Sequence, residues 1–378
     1  MFPNLLFLTA GGKHPEYNFG HLSRCVMSAD RIKRDAPQTA CHFLIPRDSA
    51  GIDFLVHSGH RPRILKGRTF TFNETKIAAA SVKADILVLD RLDWPAEFVR
   101  QLKTLNKVVI LLDDGGAATA LADASLNPLI ENPRSDFSGF RYLLLSENHK
   151  RAKCPPSAKR IVLSFGGNEP RGLTNRCLEQ LRKIPGANDF DLQIFRPGTG
   201  QKAPLSEAHL QGFAKSSRIH DFGREFFKIL DSADTLLTGG GLTLFEGVKR
   251  GLVSGVVELR AHQKGNIRKL SQAGAVERLG GFTNLESPGF SARLKAVLLH
   301  KKKRSTLHKK SIQYWDSLEF SAPVEKILQI ITQDTKSKNA SLWVKRLTPQ
   351  IRQFTKLYCN RKKIQAIHYR LPHKRIHV

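Results

Sequence analysis

The chain has 378 residues, 40% of them hydrophobic, which is enough for two α/β domains with separate cores. Its net charge of +28 calls for anionic partners, whether nucleotides, nucleic acid or anionic lipid. Five widely spaced cysteines (Cys25, Cys41, Cys154, Cys177, Cys359) with no C-x-x-C pair argue against a disulfide framework or a zinc site and fit a reducing cytoplasm, and no apolar run reaches membrane-span length.

Residues 1–8 lack the basic leader and small-residue cleavage site of a signal peptide and read as the opening strand. Strand-like runs follow at 5–9, 41–45, 86–90, 108–112 and 142–145, with helical patterns at 21–33 and 96–105. Short β-rich runs alternating with helices predict a parallel sheet. The polar, proline-containing stretch 147–159 reads as a linker. The pattern then restarts, with strands at 160–164, 190–195, 217–221, 235–238 and 255–259 and helices at 173–183, 225–232, 242–250 and 266–273. The expected division is therefore a first domain at 1–148, a linker at 149–159 and a second domain at 160–335. Two doubly wound domains of this kind leave a cleft between the C-terminal ends of their strands, where such sheets bind ligands.

Residues 336–378 differ in kind. They carry twelve Lys and Arg and no Asp or Glu. Trp343, Leu347, Ile351, Phe354 and Tyr358 recur at helical spacing, with Pro349 interrupting. The segment reads as an appended basic amphipathic tail. An anionic membrane surface, or a lipid-linked acceptor held there, is its first expected partner and nucleic acid the second.

Four constellations carry chemistry. Asn18-Phe-Gly-His-Leu-Ser-Arg-Cys25 opens the first helix. A histidine at a helix N-terminus feels positive potential, which favours the neutral imidazole, and His21 at the mouth of a cleft can act as a base. Capping or packing is the alternative reading of that histidine. Asp90, Asp113 and Asp114 end apolar strands, where acids either face the ligand crevice or cap the following loop. In Leu163-Ser-Phe-Gly-Gly-Asn-Glu-Pro-Arg-Gly-Leu-Thr174 a strand breaks into a glycine turn, so Ser164, Gly166 and Gly167 are candidates to cradle phosphate.

The most informative stretch is Asp234 to Gly251. A buried strand runs into Gly239, Gly240 and Gly241, then into a helix that begins at Leu242 and Thr243 and carries Glu246 one turn in. Glycines let a ligand approach the backbone, helix N-terminal amides face an anion, and a carboxylate accepts hydrogen bonds from sugar hydroxyls. Phosphate plus ribose is a nucleotide. Past the next strand, His262, Gln263 and Asn266 supply groups that can hydrogen-bond a sugar.

In this order the motifs resemble the nucleotide-sugar enzymes of the GT-B fold, two Rossmann-like domains facing a cleft. The nearer likeness is to the UDP-sugar hydrolases of pseudaminic acid synthesis and their spore-coat polysaccharide relatives. The lipid-linked N-acetylglucosaminyl transferases of peptidoglycan synthesis are a more distant one. Gly20-His21-Leu22-Ser23-Arg24-Cys25 is similar to the hydrolases' Gly-His-x-x-Arg-Cys, whose histidine is catalytic. Gly239 to Glu246 is similar to the nucleotide loop of both families, whose acid contacts the ribose. Gln263 to Asn266, followed by Gly274-Ala275, is similar to their Gln-x-x-Asn and Gly-Ala pair. The resemblance spans roughly residues 5–285.

The resemblance implies a UDP-sugar as substrate, with no separate cofactor and no metal site. It implies His21 and Asp90 as catalytic residues, Ser164, Gly166, Gly167, Phe222, Gly239, Gly240, Gly241, Leu242, Thr243 and Glu246 around the nucleotide, and Gly20, His262, Gln263 and Asn266 around the sugar. Two motifs depart from the hydrolase pattern. Residues 9–17 lack its Arg-x-Asp, and Asp90-Arg91-Leu92 stands for its Asp-His-Tyr. Both lie on the sugar side, so the sugar, and the choice between hydrolysis and transfer to an acceptor, stay open. The expectation is a GT-B enzyme acting on a UDP-activated, N-acetylated amino sugar in surface-glycan synthesis, cytoplasmic or peripheral at the inner membrane face. A non-catalytic basic nucleic-acid-binding protein is the alternative.

Overall fold

A computed structural model describes residues 3–11, 19–129, 133–147, 149–166, 169, 172–196, 205–223 and 225–318. Gly167, residues 12–18 and the basic stretch 336–378 lie outside the described residues.

Strands β1 (Asn4–Thr9), β2 (Ala40–Ile45), β3 (Arg63–Ile64), β4 (Ile86–Asp90), β5 (Val108–Leu112), β6 (Ala124–Asn127) and β7 (Phe137–Ser138) form one sheet. Its order is β3-β2-β1-β4-β5-β6-β7 and every pairing is parallel. Helices α1 (Phe19–Asp35), α2 (Ser49–His57), α3 (Phe72–Ser81) and α4 (Ala96–Lys103) make the crossovers. A parallel sheet is covered on both faces, so its central strands are apolar throughout. In β1, Leu5 and Phe7 join the cluster under α1, while Leu6 and Leu8 join the one under α3 and α4, as a two-residue side-chain period requires. The strand order reverses between β1 and β4, and there Thr9 lies beside Asp90.

The second sheet repeats the plan with β8 (Arg160–Ser164), β9 (Asp191–Phe195), β10 (Arg218–His220), β11 (Thr235–Thr238), β12 (Val253–Glu258) and β13 (Glu277–Gly281). Its order is β10-β9-β8-β11-β12-β13, again all parallel, with the switch between β8 and β11, where Ser164 pairs with Thr238. Helices α5 (Leu173–Arg182), α6 (Glu225–Ser232), α7 (Leu242–Arg250), α8 (Lys264–Gln272), α9 (Pro288–Leu299) and α10 (Lys301–Ser317) cover it. Two doubly wound parallel sheets in tandem give the α/β architecture that the strand-helix alternation predicts.

Several elements differ from the sequence-based expectation, among them β3 and β13, which no predicted strand covers. Residues 142–145 are not a strand. Tyr142 closes a 3₁₀ turn, and Leu143 and Leu145 instead pack on Leu244, Phe245 and Val248 of the second domain. A run of leucines reads alike whether it is buried in a sheet or in an interface. The sheet is completed by β6 and β7, whose few residues carry weak periodicity. Helices α9 and α10 extend the second domain past the last predicted element. In α10 the run Lys301-Lys302-Lys303-Arg304 looks like solvated surface, yet Arg304 is fully buried. Its guanidinium donates to Asp234 Oδ1 at 2.8 Å, Thr235 Oγ1 at 2.9 Å and the Pro155 carbonyl at 3.0 Å. Asp234 also accepts from the amides of Lys159 and Arg160. One ion pair thus ties the linker, β8 and β11 to α10.

Candidate active site

The site grows from the first switch point. β1 ends at Thr9, and α1 starts with Phe19 and Gly20, so His21 enters the crevice on the first turn of α1. Three residues on, Arg24 occupies the same helix face. Asp90 ends β4 directly opposite and is 1% exposed. His21 Nδ1 lies 2.7 Å from Asp90 Oδ1, and Arg24 Nε donates to Asp90 Oδ2 at 2.8 Å. A second nitrogen of Arg24 pairs with Asp113 Oδ2. Asp113 Oδ1 accepts the Leu129 amide at 3.0 Å.

Charge decides how this cluster works. Burial alone would raise the Asp90 carboxyl, but Arg24 and His21 outweigh it and hold it down to about 2. Asp90 is therefore an acceptor-only carboxylate, which puts the hydrogen of the shared contact on His21 Nδ1. In the neutral ring Nε2 is then the accepting nitrogen. Burial, and after it Asp90, push the neighbouring Cys25 thiol well up, so Cys25 stays a thiol packed against the carboxylate at 3.4 Å. Arg24 is 2% exposed and is held ionised, against its burial, by Asp113 and Asp90.

The other strand-end acids are structural. Asp113 adopts φ +50, a left-handed conformation that acidic residues tolerate in turns, and its carboxylate is spent on Arg24 and Leu129. Asp114 accepts the amides of Trp94 at 2.9 Å and Gly116 at 2.6 Å, closing the loops after β4 and β5. Burial raises its carboxyl above the ordinary range.

Across the cleft, the second switch point presents the glycine loop. A side chain at Gly239 would come within 2.6 Å of Leu259, and one at Gly240 within 2.8 Å of Gln263 and 2.9 Å of Ile267. These two glycines are required by close packing of the loop on residues 259–267. Gly241 is different. It sits in extended backbone before α7 with only Gln263 Nε2 within 3.8 Å of a built side chain, and no side chain caps the helix. The first amides of α7 at Leu242 and Thr243 are open to an anion at that point. Ser164 Oγ and Gln263 Oε1 are buried and have no hydrogen-bond partner among the described residues. Both flank this loop, and a polar ligand there would satisfy them.

The two half-sites face each other. A side chain at Gly20 would lie 3.9 Å from Leu242. The imidazole of His262 is lowered by desolvation, then by Arg260 and by His21, with Asp113 opposing. His262, from the second domain, is thus in electrostatic reach of His21 and Asp113 of the first. Asn266 is buried in α8 beneath the loop, and Phe222 rings with Phe195 and Phe226 at the edge beside β10.

One predicted nucleotide contact has other partners in this structure. Glu246 is 3% exposed. Its Oε1 accepts the Ser146 amide at 2.7 Å, and its Oε2 accepts the Ser146 hydroxyl at 2.6 Å and a nitrogen of buried Arg250. It holds the end of the first domain against α7, aided by Lys249, whose ammonium donates to the Ser146 carbonyl. At the other glycine turn, Gly166 has φ +85 with open space around it, while Glu169 accepts the Thr174 amide at 3.1 Å and so fills the N-terminus of α5 with its own carboxylate. Sequence reasoning did not single out Ser146 or Arg250, and it named Arg24 only as a motif position without a role. The signal for Arg24 and Arg250 was a cation on the apolar face of an amphipathic helix, which requires a buried acid.

Comparison with known proteins agrees with the fold. No protein-family model matches the sequence. The spore coat polysaccharide biosynthesis protein SpsG of Bacillus subtilis is 24% identical over 286 residues, covering 70% of this chain and 80% of SpsG. Among solved structures, the spinosyn forosaminyltransferase SpnP superposes with a TM-score of 0.63 at 12% identity, over 89% of this chain and 100% of that one. The MurG of Acinetobacter baumannii superposes with a TM-score of 0.55 at 14% identity, over 88% of this chain and 99% of that one.

Proposed function

We propose, from the GT-B fold and the similarity to a spore-coat polysaccharide biosynthesis protein, that the chain breaks the bond between a sugar and the diphosphate of UDP, in the synthesis of a surface glycan. The observation that carries the reading is the His21–Asp90 contact at the first switch point, facing an uncapped glycine loop at the second.

In this reading UDP-sugar is the substrate and no resident cofactor takes part. The diphosphate rests on the amides after Gly241, with Ser164, Gly166 and Gln263 around it and Phe222 toward the base. Gly20, His262 and Asn266 stand on the sugar side. His21 Nε2 takes a proton from a water whose oxygen attacks the anomeric carbon. A new carbon–oxygen bond forms, the bond to the diphosphate breaks, and its electron pair leaves on the diphosphate oxygen, where amide dipoles stabilise it. Asp90 holds the imidazole orientation and stabilises the imidazolium that results, and Arg24 fixes Asp90. Glu246 meets the ribose by exchanging the Ser146 hydroxyl for a ribose hydroxyl, which has the same donor chemistry.

A second reading replaces water with an acceptor hydroxyl, deprotonated by the same nitrogen. The solved structures that share the fold include glycosyltransferases by name, which favours keeping it. Incubation with a panel of UDP-sugars, with and without candidate acceptor alcohols, separates the two. UDP released without acceptor supports hydrolysis, UDP released only with acceptor supports transfer, and no UDP from any donor overturns both.

No helix among the described residues is long and apolar enough to cross a membrane. The basic stretch 336–378, which lies outside the described residues, is assigned to an anionic membrane surface on its composition alone. Flotation with anionic and neutral liposomes tests this. Loss of anionic-liposome binding on deleting residues 336–378 supports it, and binding only to added nucleic acid contradicts it.

A further inference from the structure

A second concave surface lies beside the cleft, along the C-terminal ends of β12 and β13. Its cavity has a volume of about 740 Å³. Four cations line it, Arg260, Lys264, Arg278 and Arg293, against one carboxylate, Glu258, which is already paired with Arg278. A chain of net charge +28 has many basic patches, so cations alone would mean little. Here the local backbone is built around one of them.

Arg293 donates from Nε and from Nη2 to the Leu279 carbonyl, at 2.9 and 2.7 Å. The guanidinium is thereby held in one orientation, with Nη1 left without a partner among the described residues. Two glycines flank it. A side chain at Gly280 would lie 3.6 Å from Arg293 Nη2, and one at Gly289 would lie 3.4 Å from Nη1. Gly280 has φ +137, in a region that side chains rarely adopt, and the register of β12 against β13 shifts just before it. The bulge and the glycines keep the guanidinium uncovered. Gly281 adds a second floor residue without a side chain.

We propose that this cavity binds a phosphoryl group, with Arg293 as the fixed fork and Lys264, Arg260 and Arg278 as the surrounding charge. It is separate from the glycine loop before α7 and does not depend on the nucleotide reading. Arg260, two residues before His262, joins the cavity to the cleft. A phosphorylated ligand held there would extend toward the sugar side of the candidate active site. The phosphoryl group can belong to a small phosphorylated molecule or to a lipid headgroup.

Calorimetric titration of the full chain with inorganic phosphate, at fixed ionic strength, tests the proposal. Saturable binding is expected that weakens about tenfold in Arg293→Ala, the scale of one charge-assisted hydrogen bond. Lys264→Ala, an exposed change that leaves Leu279 untouched, should weaken it several-fold. Arg293→Lys should fall between, and the double variant Lys301→Ala/Lys302→Ala on α10 should bind as the parent does. Binding should persist with excess UDP present. If UDP does not bind at all, the titration without UDP still decides the matter. Equal affinity in the parent, Arg293→Ala and Lys264→Ala, or an equal loss in the α10 double variant, would overturn it. Competition by phosphatidylglycerol vesicles, but not phosphatidylcholine vesicles, would identify the source as a lipid headgroup, and failure of both to compete would identify a free phosphorylated molecule.

Discussion

Asp90 Oδ1 lies 2.7 Å from His21 Nδ1, at the point where the first sheet reverses its strand order. The same carboxylate is gripped by Arg24, which is itself anchored to Asp113. The imidazole is therefore positioned by a buried ionic network rather than by loose packing, and the consequences can be measured.

Removing the charge from Asp90 should cost stability as well as turnover. Asp90→Asn keeps the shape but leaves buried Arg24 with Asp113 alone. Breaking a buried pair costs about 3–5 kcal/mol, so urea denaturation should show a loss of that order. An unchanged midpoint would mean that Asp113 alone compensates Arg24.

Acid should loosen the same network. The Asp90 carboxyl is depressed to about 2 from an ordinary value near 4. A depressed carboxylate contributes stability that is fully present above its unfolded value and is lost as pH falls through the folded one. The stabilising contribution, about 2 kcal/mol from that shift, should disappear between roughly pH 4 and pH 2. Comparing the acid limb of stability in the parent and in Asp90→Asn isolates it, because the variant should lack that part of the slope.

The three glycines of the loop should separate packing from ligand contact. Gly240→Ala places a methyl group 2.8 Å from Gln263 and 2.9 Å from Ile267, and overpacking of this kind costs about 1–3 kcal/mol. Gly241→Ala meets only Gln263 Nε2 at 3.8 Å and should leave stability nearly unchanged while weakening UDP binding, since the new methyl group stands over the open amides of α7. Thermal denaturation paired with UDP titration reads both. A Gly241→Ala protein of full affinity would move the anion away from this helix end.

Glu246→Ala should lower stability by about 3 kcal/mol, because Arg250 is buried and would retain Asp231 as its one carboxylate partner among the described residues. UDP affinity should fall by about 1–3 kcal/mol if a ribose hydroxyl takes the place of Ser146. Stability lost with affinity unchanged would assign Glu246 to the domain connection alone.

The repeat of strands and helices was legible in the sequence because parallel strands buried on both faces are continuous apolar runs. β4, β11, α6 and α7 fall where the residues put them. Residues 142–145 did not, because leucines packed across a domain interface carry the same local signal as a strand. The candidate catalytic histidine was legible through its motif and its place at a helix start. Its network was not, since Asp90 and Asp113 are brought to Arg24 only by the order of strands in the sheet. Glu246 shows the opposite limit. Its spacing from the glycine loop suggested a ligand, and nothing local announced that Ser146, a hundred residues earlier, would occupy both of its oxygens.

The most direct test of the account is UDP release from a UDP-sugar by His21→Asn beside the parent protein, at donor concentrations that saturate both. His21→Asn keeps a polar side chain of similar reach but cannot accept the proton. The account predicts unchanged UDP affinity and a turnover lower by about two to four orders of magnitude, the usual contribution of a general base. Turnover within a few-fold of the parent would contradict it and leave His21 as a packing residue of α1.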